Sequence, residues 1–347
     1  MNLYRGCIHN CVYCDGRSEN YHVDGKFGED VYVKVNAIEV LRRELDPRRK
    51  RMPLKNGYIM IGGGVGDSYQ PIEKKYQLTR KTLHLIHEYN FPAHILTKST
   101  LVERDIDIIK KIHKRNRAIV SFSFSSADDK ISAIFEPGVP PPSKRLETLK
   151  FFKKEGIVCG MFLLPVLPFI TDIPKVMEET IRKASEIGVD FIIFGGMTLK
   201  KGKQKDYFLN VLRKNYPDLI VEYQNIYKGN KWGEATKEYY NALNLMFNKI
   251  VKKFKIPSRI PPRFYKDILS ENDLVIVILE QISYLLGLEG RKSPYGYAAY
   301  QISKLKQPLS TMKNDLREIK GIGKTTEKII LEILRTGSSS YYEKILK

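Results

Sequence analysis

The chain has 347 residues, 59 Lys plus Arg against 39 Asp plus Glu, a formal net charge of +20 and 42% hydrophobic residues. It is too apolar for a disordered chain, and long enough for one large domain with an appendage or for two domains. Its longest apolar candidate, Gly160 to Ile170, is interrupted by Pro165 and Pro168 and falls short of the roughly 18 residues of a membrane span, so a transmembrane protein is excluded.

At the start of the chain, Met1 to Cys7 lack the charged region, apolar stretch and cleavage site of a secretory signal, which predicts a reducing cytoplasm and no disulfide scaffold. A first strand is expected at Asn2 to Tyr4. From residue 35 to 195 short apolar runs alternate with segments of helical period, the pattern of repeated beta-alpha units around a parallel sheet. The strands are expected at Gly57 to Ile61, Ala93 to Thr97, Ala118 to Phe124, Ile157 to Leu164 and Phe191 to Phe194. The helices are expected at Ala37 to Leu45, Leu78 to Tyr89, Glu103 to His113, Ser143 to Lys154 and Lys175 to Ile187, where apolar residues recur three and four apart. Six units are too few for an eight-stranded barrel, so the fold class is α/β, an open partial (β/α)6 barrel. Its chemistry is expected at the carboxyl ends of the strands, in the loops after Tyr4, Ile61, Thr97 and Phe124.

Half of the charge excess lies in residues 200 to 263. A stretch made of Lys200, Lys201, Lys203 and Lys205, then Lys249, Lys252, Lys253, Lys255, Arg259 and Arg263, would attract a polyanion by releasing its counterions, or would simply be a solvated face. The run Arg48, Arg49, Lys50, Arg51 reads as an exposed loop. A long helix from Glu234 to Phe254 is broken by Ile256 to Arg263, whose three prolines mark a linker. Beyond it, Asp273 to Gly287, Tyr295 to Leu305, Met312 to Ile319 and Lys324 to Arg335 read as the helices of a small all-α domain. The expected division is 1–225 for the barrel, 226–263 for a basic connector and 264–347 for the helical domain.

Three of the four cysteines fall within eight residues, Cys7, Cys11 and Cys14. Three thiolates in one loop can bind three irons of a [4Fe-4S] cluster and leave the fourth iron open for a ligand. The alternative is a zinc site completed by His9, for which the second pair of closely spaced ligands usual in zinc ribbons is missing. Cys159, inside an apolar strand, reads as a packed thiol. The spacing, with aromatic Tyr13 before the last cysteine, resembles the radical S-adenosylmethionine (SAM) superfamily. That resemblance implies that SAM chelates the open iron and is cleaved to a 5′-deoxyadenosyl radical. It also implies a backbone turn for the SAM amino group at Gly62, Gly63 and Gly64, carboxylate and ribose contacts from Lys98 with Ser121 or Ser123, and Tyr13 packed near adenine. Without the family, the glycines are a tight turn, Lys98 a surface cation and the serines ordinary strand residues.

The phrases Gly66 to Glu73, Leu78 to Arg80, Leu96 to Ser99, Glu103 to Asp105, Phe135 to Gly138, Arg145 to Glu147 and Pro165 to Asp172 look like the spore photoproduct lyase-like branch, over about residues 3 to 195. That implies hydrogen abstraction from a DNA lesion, whose base must be extruded or met at a distortion. One departure is informative. The lyase cysteine that returns a hydrogen atom corresponds to Gly64, so either another residue, with Tyr13, Tyr58 and Tyr69 as candidates, donates it, or the substrate is not the spore photoproduct; the second is favoured. Asp67 and Tyr69 are the catalytic candidates, against the plainer reading of a turn aspartate and a packed tyrosine.

Residues Ile319 to Glu327, with Gly321, Gly323, Lys324 and Thr325, resemble a helix-hairpin-helix element, whose second-helix amides donate to a DNA phosphate. The alternative is a hairpin used only for packing. The longer stretch Leu279 to Leu346 looks like the amino-terminal domain of family X DNA polymerases. The Schiff-base lysine of some of those enzymes would align with Ile329, beside Lys328, so lyase chemistry is not expected. The function that follows is a cytoplasmic radical SAM enzyme acting on a nucleic acid, most simply a DNA base, and fed electrons by a donor such as ferredoxin or flavodoxin. An RNA base modifier, a noncatalytic DNA-binding iron–sulfur protein and a small-molecule radical enzyme are the rival readings.

Overall fold

A computed structural model of the chain describes residues 1–23, 25–49 and 57–346. Lys50 and Arg51 of the basic run lie outside the described residues, while Arg48 and Arg49 pair with Asp46 and Glu44. The described chain divides into two compact units, Met1–Leu243 and Asn244–Lys347, with the division inside the helix Lys237–Lys253. Among the described residues no helix is long and apolar enough to cross a membrane.

The first unit is built on a parallel sheet of β3 (Ile59–Ile61), β4 (Ala93–Thr97), β5 (Ala118–Phe124), β6 (Val158–Val166) and β7 (Phe191–Gly196), in sequence order. Ile61 pairs with Ile95, Ile95 with Val120 and Val120 with Cys159. In β5 the residues Ala118, Ile119, Val120, Phe122 and Phe124 have no solvent exposure, as expected of a strand covered on both faces. The expected α/β class therefore stands, with one correction. The segment Asn2 to Tyr4 does not add a sixth parallel strand. Tyr4–Arg5 (β1) pairs antiparallel with Tyr32–Val33 (β2), and Gly6, at φ +86°, turns the chain into the cysteine loop against the Asp30 carbonyl. The N-terminal amine donates to Met60 O (2.6 Å).

Helix ends follow local chemistry. Pro142 and Pro174 open two helices where a missing N–H costs nothing, and Gly188, at φ +76°, closes the second. The Asp128 carboxylate accepts from Lys130 N and Ile131 N and starts Asp129–Phe135, a helix not foreseen from sequence. Two more helices not foreseen from sequence are Lys203–Asn215, with four basic residues among its thirteen, and Ile220–Ile226, with none.

The second unit holds the helices Glu271–Leu288, Tyr295–Ile302, Lys324–Thr336 and Ser340–Leu346. The expected helix Met312 to Ile319 is instead two short 3-10 turns, Leu309–Met312 and Leu316–Glu318. Asn314 and Asp315 fall between them, residues that favour turns over helix interiors.

Candidate active site

The cysteine loop leaves β1 and is strapped by side chains from distant parts of the first unit. Gln70, fully buried, accepts from Ile8 N (3.1 Å) and donates to Gly6 O (3.1 Å). Arg17 donates through Nε to Cys11 O (3.2 Å), bonds the Asn10 side chain, and lies 3.6 Å from the centre of the Tyr207 ring. Gln204, also fully buried, donates to Tyr13 O (2.9 Å) and Asp15 Oδ1 (3.0 Å). Asp15 is held further by Thr198 and by Lys200 Nζ (2.6 Å). Lys200, read from sequence as part of a polyanion-attracting stretch, is thus buried and paired inside the unit.

The phrase Phe135 to Gly138 clasps the loop from the other side, through Val12 N to Phe135 O (2.8 Å) and Gly138 N to His9 O (3.0 Å). A Cβ on Gly138 would sit 2.5 Å from Ile8 O and 2.8 Å from His9 O, where only glycine fits. Gly138→Ala is therefore expected to push the loop off its seat, cost about 1–3 kcal/mol and lower iron uptake on reconstitution. Iron per chain and a thermal melt check this; full iron loading would contradict it.

All four cysteines are free, and Cys7, Cys11 and Cys14 line one cavity of about 220 Å³. With them come His9, Gly63, Gly64, Gly66, Asp67, Leu96, Thr97, Lys98, Ser123 and Leu164, gathered at or near the carboxyl ends of β3 to β6. Among the described residues no three donors already converge on one point as a single ion would need. A four-iron cluster asks for something else, since each thiolate takes a different iron and the ligands surround a volume. The donor set fits such a cluster. Burial, then the Asp67 carboxylate, push the Cys7 thiol up to about 12, and burial raises Cys11 and Cys14 as well. Metal binding therefore has to release these protons.

Around the cavity, Gly62, Gly63 and Gly64 hold φ of +93°, +85° and +73°, a run that glycine alone adopts cheaply. Gly62 serves the close approach to Leu96 O and does not line the cavity. Asp67 accepts from Thr97 Oγ1 (2.7 Å), Lys98 N (2.7 Å) and Tyr69 N (2.8 Å), and lies 3.5 Å from His9 Nδ1. Lys98 Nζ donates to Ser123 Oγ (2.9 Å) and Glu136 Oε1 (3.0 Å), 5.7 Å from the Tyr13 ring centre. Two expected residues face elsewhere. Ser121 is bonded to His94 Nε2 (2.8 Å), and Tyr69 donates its hydroxyl to Asp105 (3.0 Å). Tyr13 is buried behind the cavity with its hydroxyl on Glu136.

Glu136 is the residue that sequence reasoning did not single out, although it stands in the quoted phrase Phe135 to Gly138. Fully enclosed, it accepts from Tyr13, Lys98, Arg145 and Ser132 Oγ (2.9 Å). Burial alone would raise its pKa, but the Arg145 and Lys98 charges hold it well below the usual carboxylate range. Cys159 points its Sγ at the Ile157 and Leu149 carbonyls, away from the cavity, as a packed thiol does.

A model of the radical SAM superfamily matches residues 1–178. The chain belongs to the radical SAM superfamily. A helix-hairpin-helix domain model matches residues 270–339. An uncharacterized protein of Mycobacterium tuberculosis is 29% identical over 232 residues, 66% of this chain and 66% of the relative. The chain thus spans just under two thirds of that relative's length. Uncharacterized proteins of Acidianus two-tailed virus (29% identical, 74% of this chain and 80% of theirs) and of Methanocaldococcus jannaschii (31% identical, 63% and 76%) are also similar. Among solved structures, a mutant of spore photoproduct lyase with bound AdoMet and dinucleoside spore photoproduct has the same fold, with TM-score 0.53, 18% identity and 73% of each chain covered. Family membership implies SAM and an iron–sulfur cluster.

In the helix-hairpin-helix domain, Gly321, at φ +91°, lies against the Tyr297 ring, and buried Ile322 anchors the turn. Gly323, Lys324 and Thr325, at the start of the helix Lys324–Thr336, are exposed. Ile329 is core and Lys328 exposed.

Proposed function

We propose that the chain is a radical SAM enzyme that acts on a nucleic acid, with a base of DNA as its target. The observation that carries the reading is the single cavity bordered by three free thiols, the Gly63 and Gly64 turn, Asp67, Lys98 and Ser123. In this reading Cys7, Cys11 and Cys14 hold the cluster. When bound, cluster and SAM supply one-electron cleavage of a carbon–sulfur bond and abstraction of a hydrogen atom from substrate. The chain's own groups bind and orient. The backbone of the glycine turn would receive the SAM amino group, and the Lys98 ammonium, fixed by Glu136 and Ser123, would meet the SAM carboxylate. Asp67 holds the ends of β3 and β4 together through Thr97 and Lys98. Leu96 and Leu164 give the cavity an apolar wall that limits water.

At Gly64 the positive φ and the Asn2 side chain, 3.1 Å from where a Cβ would lie, leave a poor seat for a cysteine, and Cys159 is turned away. The reaction therefore differs from that of spore photoproduct lyase in lacking a thiol at this point. The exposed turn at Gly323 to Thr325 serves DNA phosphate, with residues 264–347 as the DNA-holding unit. Lys324→Ala is expected to weaken DNA binding roughly 3- to 10-fold, evenly across sequences, and to flatten the salt dependence by about one ion. Titrations at several salt concentrations check this; an unchanged slope assigns the hairpin to packing.

The enzyme reading is tested by anaerobic reconstitution, reduction by a donor such as flavodoxin, and chromatography of 5′-deoxyadenosine with no polymer, with DNA and with RNA. Stimulation by DNA is expected. Stimulation by RNA alone moves the substrate to RNA, and no cleavage from an assembled cluster overturns the enzyme.

A further inference from the structure

Trp232 is the only tryptophan of the chain, and it is 61% exposed, unusual for the largest apolar side chain. It stands on a turn built to hold it out. Asn230 Oδ1 accepts from Trp232 N (3.0 Å) and Glu234 N (2.9 Å), and Gly233 N donates to Asn230 O (3.1 Å). Gly233, at φ +68°, is pressed so closely on the chain that a Cβ would lie 2.5 Å from Leu199 C and Lys200 N, and its carbonyl accepts from Leu199 N (2.6 Å). The turn is thus fastened to the segment that leaves the carboxyl end of β7. That segment also supplies Lys200, the partner of Asp15 beside Cys14. Lys228 and Lys231 are exposed on the same turn, with Lys231 Nζ 5.2 Å from the ring centre.

We propose that Trp232 is a stacking platform for an unpaired nucleobase, with Lys228 and Lys231 meeting the adjoining phosphates; this rests on the nucleic-acid reading above. A flat aromatic face flanked by cations is the combination that single-stranded nucleic acid recognises, bases on the ring and backbone on the charges. Its turn is tied to the segment that follows β7, on the carboxyl-end side of the sheet where the residues of β3 to β6 line the cavity, so a base drawn from its stack toward that side, or the neighbour it leaves, would meet the ring.

Because the chain has no other tryptophan, emission excited at the red edge of the indole band, where its tyrosines barely absorb, reads this residue alone in the intact, reconstituted protein. The probes are a single-stranded oligodeoxynucleotide of about 12 residues and an abasic oligomer of equal length, chosen within the usual site sizes. Anisotropy of a labelled oligonucleotide reports binding independently. The base-bearing strand is expected to quench the emission and the abasic one to leave it nearly unchanged. Trp232→Ala should weaken single-strand binding about 5- to 100-fold with an unchanged melt, and Trp232→Phe should restore most of it. Binding seen by anisotropy with unchanged emission and unchanged Trp232→Ala affinity overturns the platform and leaves the nucleic-acid reading intact. Equal quenching by the abasic strand reduces the turn to a backbone contact and also overturns it, as does quenching by flavodoxin but not by the oligonucleotide. If neither DNA nor RNA binds, both readings fall together.

Discussion

Cys14→Ala is expected to bring 5′-deoxyadenosine formation down to the level of a protein-free control. The loss should exceed the roughly 10- to 100-fold that follows from disturbing a group one step removed from a metal, because one iron loses its only protein ligand. The fold should survive. Cys14 is half-buried, and the backbone beside it is fixed by Gln204 at Tyr13 O and by the ties of Asp15 to Thr198 and Lys200. Iron per chain should therefore fall while the melting temperature moves little. Undiminished SAM cleavage in the variant would place the cluster elsewhere. Loss of DNA binding together with the cluster would instead favour a structural iron–sulfur centre.

Glu136→Ala should produce the larger loss of stability. Arg145 is as fully enclosed as its partner, and Lys98 is nearly so, so removing the carboxylate leaves buried positive charge uncompensated. Breaking such a pair costs about 3–5 kcal/mol, which for a unit of this size lowers the melting temperature by roughly 10 °C. The pH dependence carries a matching signature. The folded pKa of Glu136 is depressed below its unfolded value, so the carboxylate's contribution is complete above the ordinary glutamate range, about pH 4.3, and is lost as pH falls further. Glu136→Gln should flatten that acid limb. Melts of wild type and Gln variant between pH 3 and 7 measure it, and parallel curves would show that the ion pair does not govern acid stability.

Much of the site was legible because its residues sit in short ordered phrases: Cys7, Cys11 and Cys14, Gly63 and Gly64 after β3, Asp67, Lys98 and Ser123 all reach one cavity. Strand positions were readable for a related reason, since β4 and β5 are short, mainly apolar runs set between longer segments of helical period. What stayed hidden depends on pairing at a distance. Glu136 looks like any glutamate before Pro137 until Arg145 and Lys98 are folded onto it. The basic stretch concealed the helix Lys203–Asn215, although Phe208 and Leu212 are four apart, because its lysines drew attention to charge and away from period. Between Ser121 and Ser123, and between a catalytic and a packed Tyr69, sequence could not choose, since alternation assigns a face and cannot tell which hydroxyls are already claimed by His94 and Asp105. The first strand was misplaced because two residues before a glycine can pair with any edge.

The strap of Gln204 on the backbone at Tyr13 joins residues 191 positions apart. During synthesis the three thiols leave the ribosome well before residue 204, yet their loop gains this support only after that residue has followed. Iron delivered to the nascent chain would meet an unfinished loop, so durable loading of the cluster belongs to the end of the barrel's synthesis, and cells must keep three early thiols reduced throughout that interval.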